Sequence, residues 1–188
     1  IKIGQGFAAS MMSYGRNNFI HDTSRSYVGV ELDGTVVVRC GVQDIGCGQC
    51  SSLAQIAAEV LGVALSDVSV YYGDSALTPL AGTTTATRQL YMSGNATWKA
   101  AKVVRNNLAR IAGEQLKTKP TNLVFKGNKI TAPDGNSLSL DTVIKSCAGQ
   151  GIELYAIEQF NAPAKDLINF KTGQGQVFSD FTFGTIAM

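Results

Sequence analysis

Residues 27–62, YVGVELDGTVVVRCGVQDIGCGQCSSLAQIAAEVLG, decide the fold, because they hold a strand pair, a glycine-rich turn and a helix in succession. Tyr27 to Leu32 and Thr35 to Gly41 are apolar and β-branched, and the Asp33-Gly34 pair between them is a strong hairpin signal. After the turn, apolar residues recur at helical spacing: Leu53, Ile56, Ala57, Val60 and Leu61. The stretch therefore predicts two antiparallel strands, a loop and a helix that ends near Gly62.

The rest of the chain mixes strands and helices without strict alternation. Its predicted elements are a strand at 68–72, a small-residue loop at 80–87, a long helix at 93–116, a hairpin at 123–131, a short helix at 140–147, a strand at 152–160, an irregular segment at 161–176 and a strand-like run at 177–183. This order predicts an α+β fold with a mixed, mostly antiparallel sheet and two main helices. We place a first lobe at 1–118 and a second at 119–188.

Composition narrows the class of protein. The 188 residues carry a formal charge of +2, from 16 Lys and Arg against 14 Asp and Glu, and these charges are scattered, so no nucleic-acid surface is expected. We find no apolar run of the roughly 20 residues that a membrane span needs. Four cysteines in a chain of this size do not resemble a secreted disulfide framework, so we expect a cytoplasmic protein.

The ends of the sequence suggest a fragment. The chain begins at Ile1 without an initiator methionine, and it stops at Met188 just after the strand-like run Val177 to Phe183. A fragment leaves uncovered the surface that packs against its missing parts. We therefore expect an exposed apolar patch and self-association of the isolated chain.

Two loops are candidate binding sites. Gly46 and Gly48 allow close backbone approach in the turn from Asp44 to Ser52, and the helix that follows presents free N–H groups that attract phosphate. The loop Thr83 to Thr87 offers hydroxyls and backbone donors. A plain structural turn and a solvated threonine loop are the alternatives, but both loops leave strand ends, so we expect them to lie side by side and face one ligand.

The cysteines give weaker signals. Cys47 and Cys50 form a C-x-x-C, and Cys40 and His21 are conceivable further ligands for zinc or an iron–sulfur cluster. A second C-x-x-C is absent from the sequence and Cys147 is isolated. Ordinary thiols are the favoured interpretation, so we predict no metal ligands in this chain.

Several segments together resemble the molybdopterin-binding subunit of the molybdenum hydroxylases, the xanthine dehydrogenase and aldehyde oxidoreductase family. Their order and spacing are similar to the pattern Asp/Glu-x-Gly-Gln-Gly, Gln-Ile-Ala-Ala-Glu-x-Leu-Gly, Gly-Asp-Thr and a small-residue loop before a helix. The matching segments are 41–48, 55–63, 68–74, 83–89 and 94–96. This resemblance makes 1–118 the cofactor-loop core of a molybdenum-cofactor-binding domain.

The resemblance implies a molybdenum cofactor, as molybdopterin or its cytosine dinucleotide, with iron–sulfur clusters and FAD on partner domains or subunits. The implied reaction hydroxylates an N-heterocycle or an aldehyde with water as the oxygen source. The family's glutamate base lies in a Gly-Glu-Pro-like motif, and Gly113-Glu114-Gln115 lacks that pattern. We therefore expect no catalytic residue in this fragment, which would need the rest of the molybdopterin subunit and be inactive alone.

Carried over position by position, the resemblance implies eight cofactor contacts: Gly46, Cys47, Gly48, Thr85, Ala86, Thr87, Arg88 and Gln89. Cys47 stands where most members carry glutamine, and a thiol is shorter and a weaker donor. Arg88 is the only cation of the set. Two alternatives stay open: a stand-alone nucleotide- or phosphate-binding module, and an inactive assembly protein derived from the enzyme.

Overall fold

A computed structural model describes residues 6–14, 23–85, 87–162, 169, 171–174 and 180–187. The strands are β1 Phe7–Tyr14, β2 Thr23–Val30, β3 Val36–Cys40, β4 Val68–Tyr72, β5 Val124–Lys126, β6 Lys129–Thr131, β7 Ser137–Ser139, β8 Tyr155–Asn161 and β9 Asp180–Ala187. The helices are α1 Gln49–Leu61, α2 Arg88–Gln115 and α3 Leu140–Gly149, with short 3₁₀ turns at Leu65–Asp67 and Pro120–Asn122. This confirms the predicted α+β class.

A four-stranded sheet in the order β4-β3-β2-β8 forms the centre of the described fold. β2 pairs antiparallel with β3 and with β8, whereas β4 runs parallel to β3. The predicted hairpin is confirmed: the Thr35 N–H donates to Asp33 Oδ1 at 2.8 Å, and Gly34 takes a φ of 91°. Cys40 pairs with Tyr72, so β3 and β4 end at the same edge of the sheet. The segments that follow these strands therefore start side by side.

The remaining strands form two further sheets. β1 pairs antiparallel with β9, and β5, β6 and β7 form an antiparallel meander. The strand-like run at 177–183 is described from residue 180 onward, where β9 extends to Ala187. Most antiparallel pairs of the described chain thus join segments that the sequence predicts as strands, and the mostly antiparallel prediction is confirmed.

One hydrophobic cluster joins the sheet to the helices. It includes Val28 and Val38 from the sheet, Leu53 from α1, Leu108 from α2 and Ile144 from α3, each at most 1% exposed. Burial on this scale is the main force that stabilises such a fold. The cluster contains residues from both 1–118 and 119–188, and the division into two lobes stays a prediction.

Two of the predicted boundaries that differ from the structure matter for the candidate site. β2 begins at Thr23 instead of Tyr27, because its first residues pair with β8, where Thr23 lies opposite Asn161. The long helix begins at Arg88 instead of Ser93, since the Arg88 N–H already donates to the Thr85 carbonyl at 3.0 Å. Arg88 and Gln89 therefore belong to the first turn of α2 and not to the loop before it.

No helix within the described ranges is both long and apolar enough to cross a membrane.

Candidate functional site

The turn after β3 leaves its backbone open on one side. Gly46 and Gly48 have φ values of 100° and 68°, which glycine adopts at little cost. A Cβ built on either residue would meet no atom within 4 Å, and the Cys47 side chain between them is exposed. A ligand can therefore approach the backbone of this turn closely.

The side chain of Asp44 binds backbone N–H groups of the turn just before α1. Its Oδ1 accepts hydrogen bonds from the Gly46 N–H at 3.0 Å and from the Gly48 N–H at 3.2 Å. These backbone donors hold the pKa of Asp44 below its ordinary value of 3.8, and the Gly46 N–H has the largest effect. These two N–H groups precede Gln49 to Ser52, whose N–H groups the sequence predicts to be free; of those, the Ser52 N–H donates to the Gly48 carbonyl at 3.0 Å. A ligand meets an acceptor at the turn.

Thr84 connects the loop before α2 to the turn after β3. The Thr84 hydroxyl accepts the Gln43 N–H at 3.1 Å and lies 3.0 Å from the Gln43 carbonyl oxygen, to which it can donate. It also lies 3.3 Å from Gln89 Oε1, but a hydroxyl has only one hydrogen to give. This contact places the loop beside Gln43, the residue just before the turn, and Thr84 belongs to the predicted loop although it is not among the eight predicted cofactor contacts.

Arg88 lies beneath the loop, with 4% of its surface exposed. Its Nη1 donates to the carbonyls of Ala81 at 3.1 Å and Thr83 at 2.8 Å, and its Nη2 donates to the Thr23 carbonyl at 3.1 Å. The guanidinium thus binds backbone oxygens of the loop and of β2. Its direct contact with a cofactor stays a prediction.

Gln89 is fully buried beside Arg88. Its Oε1 accepts from Arg88 Nη1 at 3.1 Å, and its Nε2 donates to the Ser93 hydroxyl. Ser93 Oγ in turn lies 2.8 Å from Ser24 Oγ in β2. A similar pair follows one turn later, where Thr97 donates to Ser26 Oγ at 2.8 Å.

These residues form a buried polar strip between α2 and β2, which we define as Ser24, Ser26, Gln89, Ser93 and Thr97. The spacing of these residues indicates the strip in the sequence itself. The three α2 members are four residues apart and the two β2 members are two residues apart, so each set lies on one face of its element. Helical periodicity read from apolar residues alone missed it.

The remaining predicted contacts lie at the end of the loop. Thr85 and Thr87 are partly buried, and their carbonyls accept from the Arg88 and Tyr91 N–H groups as α2 begins. Ala86 lies outside the described residues. The structure thus places Gly46, Cys47 and Gly48 on an open turn, the two threonines partly covered, and Arg88 and Gln89 below them.

A cavity of about 340 Å³ lies beside the turn and the loop. Its lining residues come from the segments after β3 and β4: Gly41, Gln43, Gly73, Ser75, Thr78, Pro79, Leu80 and Ala81. The Gly41 N–H donates to the Pro79 carbonyl at 3.0 Å, and a Cβ on Gly41 would lie 2.7 Å from that oxygen. Glycine is therefore required where the two segments cross.

All four cysteines are free thiols. Cys40 is fully buried, its Sγ donates to the Arg25 carbonyl at 3.3 Å, and burial raises its pKa. Burial and then the charge of Asp44 raise the pKa of Cys50. His21 lies outside the described residues, and within the described part of the chain no three His, Cys, Asp or Glu side chains converge as metal ligands do.

Comparison with known proteins shows the family of this chain. The family model described as molybdopterin cofactor-binding domain matches residues 1–188. The aldehyde oxidoreductase molybdenum-binding subunit PaoC of Escherichia coli K12 is 44% identical over 80 residues, which cover 43% of this chain and 10% of that protein. A nicotinate dehydrogenase subunit of Pseudomonas putida is 30% identical over 158 residues, which cover 79% of this chain and 13% of that protein. The chain thus spans a small part of these relatives.

Solved structures share the fold. Quinoline 2-oxidoreductase from Pseudomonas putida 86 superimposes with a TM-score of 0.77 at 21% identity, covering 98% of this chain and 24% of that one. The Cu,Mo-CO dehydrogenase superimposes with a TM-score of 0.76 at 18% identity, covering 98% of this chain and 23% of that one. With a family match over its whole length, the chain belongs to the molybdopterin cofactor-binding domain family.

Proposed function

We propose that this chain supplies the cofactor-holding turn and loop of the molybdopterin-binding subunit of a molybdenum hydroxylase. The observation that carries the proposal is the Thr84–Gln43 contact, which joins the open glycine turn to the hydroxyl-rich loop. The match of the whole chain to a cofactor-binding domain family supports it.

The residues of the turn fit a pterin group. Glycines without a Cβ leave room for a flat ligand, and the Asp44 carboxylate is an acceptor that suits the amino and ring N–H donors of a pterin. Gly46, Cys47 and Gly48 would contact the cofactor from the turn, and Thr85, Ala86 and Thr87 from the loop. When bound, the group supplies the redox chemistry that transfers oxygen from water to a substrate carbon.

The wider enzyme is part of the same proposal. Its substrate would be an N-heterocycle or an aldehyde, since relatives carry the names nicotine 6-hydroxylase, nicotinate dehydrogenase and aldehyde oxidoreductase. Its partners would be the rest of the molybdopterin subunit and iron–sulfur and FAD subunits, in the cytoplasm. The catalytic base would come from outside this chain, so the isolated chain is expected to hydroxylate nothing.

The phosphate-binding alternative is disfavoured by one contact. The Asp44 carboxylate accepts the Gly46 and Gly48 N–H groups, so a second anion would meet like charge at the helix start. Calorimetric titration of the isolated chain with inorganic phosphate should show no binding. Tight binding of phosphate would favour the nucleotide- or phosphate-binding module over the hydroxylase.

The direct test is cofactor loading. The full-length subunit that contains this chain should be produced with its partners in a bacterium that makes the molybdenum cofactor, and its molybdenum and pterin content measured. Thr84→Val should lower both, because it removes the hydroxyl between the turn and the loop. Thr83→Val is the matched control, since Thr83 is exposed. A wild-type subunit without molybdenum or pterin would contradict the proposal and favour the inactive assembly protein.

A further inference from the structure

The loop of residues 81–85 is held from beneath by α2. Arg88 donates to the carbonyls of Ala81 and Thr83, which lie two residues apart on this loop, and also to the Thr23 carbonyl of β2. The guanidinium therefore bridges the loop and the sheet. With 4% of its surface exposed, Arg88 leaves little area for a ligand on the outer surface to contact.

We propose that Arg88 and Gln89 are positioning residues, which hold the loop of residues 81–85 against Gln43 from inside the fold and do not contact the cofactor. The inference rests on the proposed function, and it reassigns two residues that the family resemblance placed among the cofactor contacts.

The planar guanidinium group of arginine, with its several N–H donors, is needed for this role. Nη1 reaches two loop carbonyls and Gln89 Oε1, while Nη2 reaches β2. A lysine ammonium is a point charge that cannot span both sets of acceptors. The loop backbone also touches the guanidinium directly, since a Cβ on Gly82 would lie 2.6 Å from Arg88 Nη2.

Gln89 extends the same arrangement to Thr84. Its Oε1 already accepts from Arg88 Nη1 and lies 3.3 Å from the Thr84 hydroxyl, and its Nε2 binds Ser93. The Thr84 hydroxyl accepts the Gln43 N–H at 3.1 Å and can donate its single hydrogen to Gln89 Oε1, whose second lone pair is free for it beside the guanidinium. The order Arg88, Gln89, Thr84, Gln43 thus connects the helix to the turn.

The test compares Arg88→Lys with Arg105→Lys in the full-length subunit with its partners. Arg105 is the control, because it is a partly buried arginine of the same helix that also donates to a backbone carbonyl, that of Val60. Two quantities are measured: hydrogen exchange of the backbone amides of 81–85, and the rate at which molybdenum and pterin dissociate.

We expect Arg88→Lys to speed both by about tenfold or more, since a lysine ammonium cannot keep all the charge-assisted hydrogen bonds that the guanidinium makes. Arg105→Lys should change neither the loop exchange nor the cofactor dissociation rate, even where it lowers the melting temperature as much as Arg88→Lys does. Gln89→Met removes both the Oε1 acceptor and the Nε2 donor, so it should also speed exchange, but less than Arg88→Lys, because the guanidinium keeps its loop carbonyls. It also serves as the test variant if Arg88→Lys does not fold.

Two results would overturn the inference. Unchanged loop exchange in the Arg88 or Gln89 variants would show that these residues do not hold the loop. Faster cofactor loss with unchanged loop exchange would mean that Arg88 contacts the cofactor itself. If the wild-type subunit holds no cofactor, the proposed function fails, and loop exchange alone still decides whether the two residues position the loop.

Discussion

The guanidinium of Arg105 in α2 lies 4.3 Å from the centre of the Phe125 ring in β5, and Arg105 Nη1 donates to the Val60 carbonyl at the end of α1. Stacking of arginine on an aromatic face is a favourable cation–π contact. It connects the region before residue 118 to the region after it, in the same place where their apolar side chains share a core.

Ile144→Ala tests whether these regions fold together. Ile144 of α3 is fully buried, and its truncation should lower the free energy of unfolding by about 2–5 kcal/mol. The single Trp98 lies in α2, so urea unfolding followed by its fluorescence should shift to lower urea. Leu32→Ala, at a side chain 64% exposed, should leave the midpoint unchanged. An unchanged Trp98 transition in Ile144→Ala would support two independent lobes.

The hairpin, the first helix and the mixed sheet could be predicted because local signals decide them. Asp33-Gly34 fixes the turn between β2 and β3, and Gly62 ends α1 with a φ of 70°. The start of α2 could not be predicted from apolar periodicity, since Arg88 and Gln89 are buried polar residues and Arg88 binds the Thr23 carbonyl of β2, 65 residues away. Such partners are set by tertiary packing, which spacing along the chain does not reveal.

The candidate site also has features that the sequence could reveal and features that it could not. The closeness of the turn and the loop followed from their positions after neighbouring strand ends. The capture of the Gly46 N–H by Asp44 is a local pattern, since aspartate side chains often bind the backbone two residues onward, and the sequence could have revealed it. The Thr84–Gln43 contact could not be read in advance, because nothing local pairs positions 41 residues apart.

Asp44 gives the turn a dependence on pH. The pKa of Asp44 is depressed in the folded chain. The contribution of its ionised carboxylate to the stability of the fold is therefore fully present above the ordinary pKa of 3.8, and it is lost as the pH falls through the depressed value. The backbone amide NMR shifts of Gly46 and Gly48 should therefore titrate together below about pH 4. In Asp44→Asn this titration should disappear. Persistence of the same step in the variant would assign it to another group.

Thiol labelling should separate the four cysteines. Cys47 is exposed and should react with a disulfide reagent in the first phase, whereas the buried Cys40 and Cys147 should react only on unfolding. Cys50 should follow Cys47, because its raised pKa reduces the thiolate at neutral pH. Cys47→Ser should remove the first phase and leave the others. Fast labelling that survives in this variant would contradict the order.

Cys47→Gln tests the departure from the family pattern. A glutamine would offer the ligand a longer side chain with both a donor and an acceptor, so cofactor retention in the full-length subunit should rise several-fold. Cys47→Ser is the control, since it keeps the length of the side chain. Equal retention in wild type, Cys47→Gln and Cys47→Ser would mean that the side chain at this position does not contact the cofactor.

Self-association of the isolated chain should involve the groove between α1 and α2. This groove, of about 770 Å³, is lined in part by Ile56, Leu65, Leu90 and Trp98. Leu90→Glu should shift the chain toward monomer in sedimentation experiments, because a charge in an apolar contact is costly. Leu32→Glu lies outside the groove and should leave the distribution unchanged. A wild-type monomer at every concentration would contradict the prediction.

Gly82 limits how this loop can vary between proteins. It has a φ of 73°, and a side chain there would collide with Arg88 Nη2 at 2.6 Å and approach the Thr23 carbonyl at 3.2 Å. Every non-glycine substitution should therefore displace the guanidinium and be selected against in a mutational scan, whereas the exposed Thr83 next to it should accept most residues. A fixed residue thus lies beside a freely variable one, so the exposed side chains of the loop can diversify while its backbone shape is inherited unchanged.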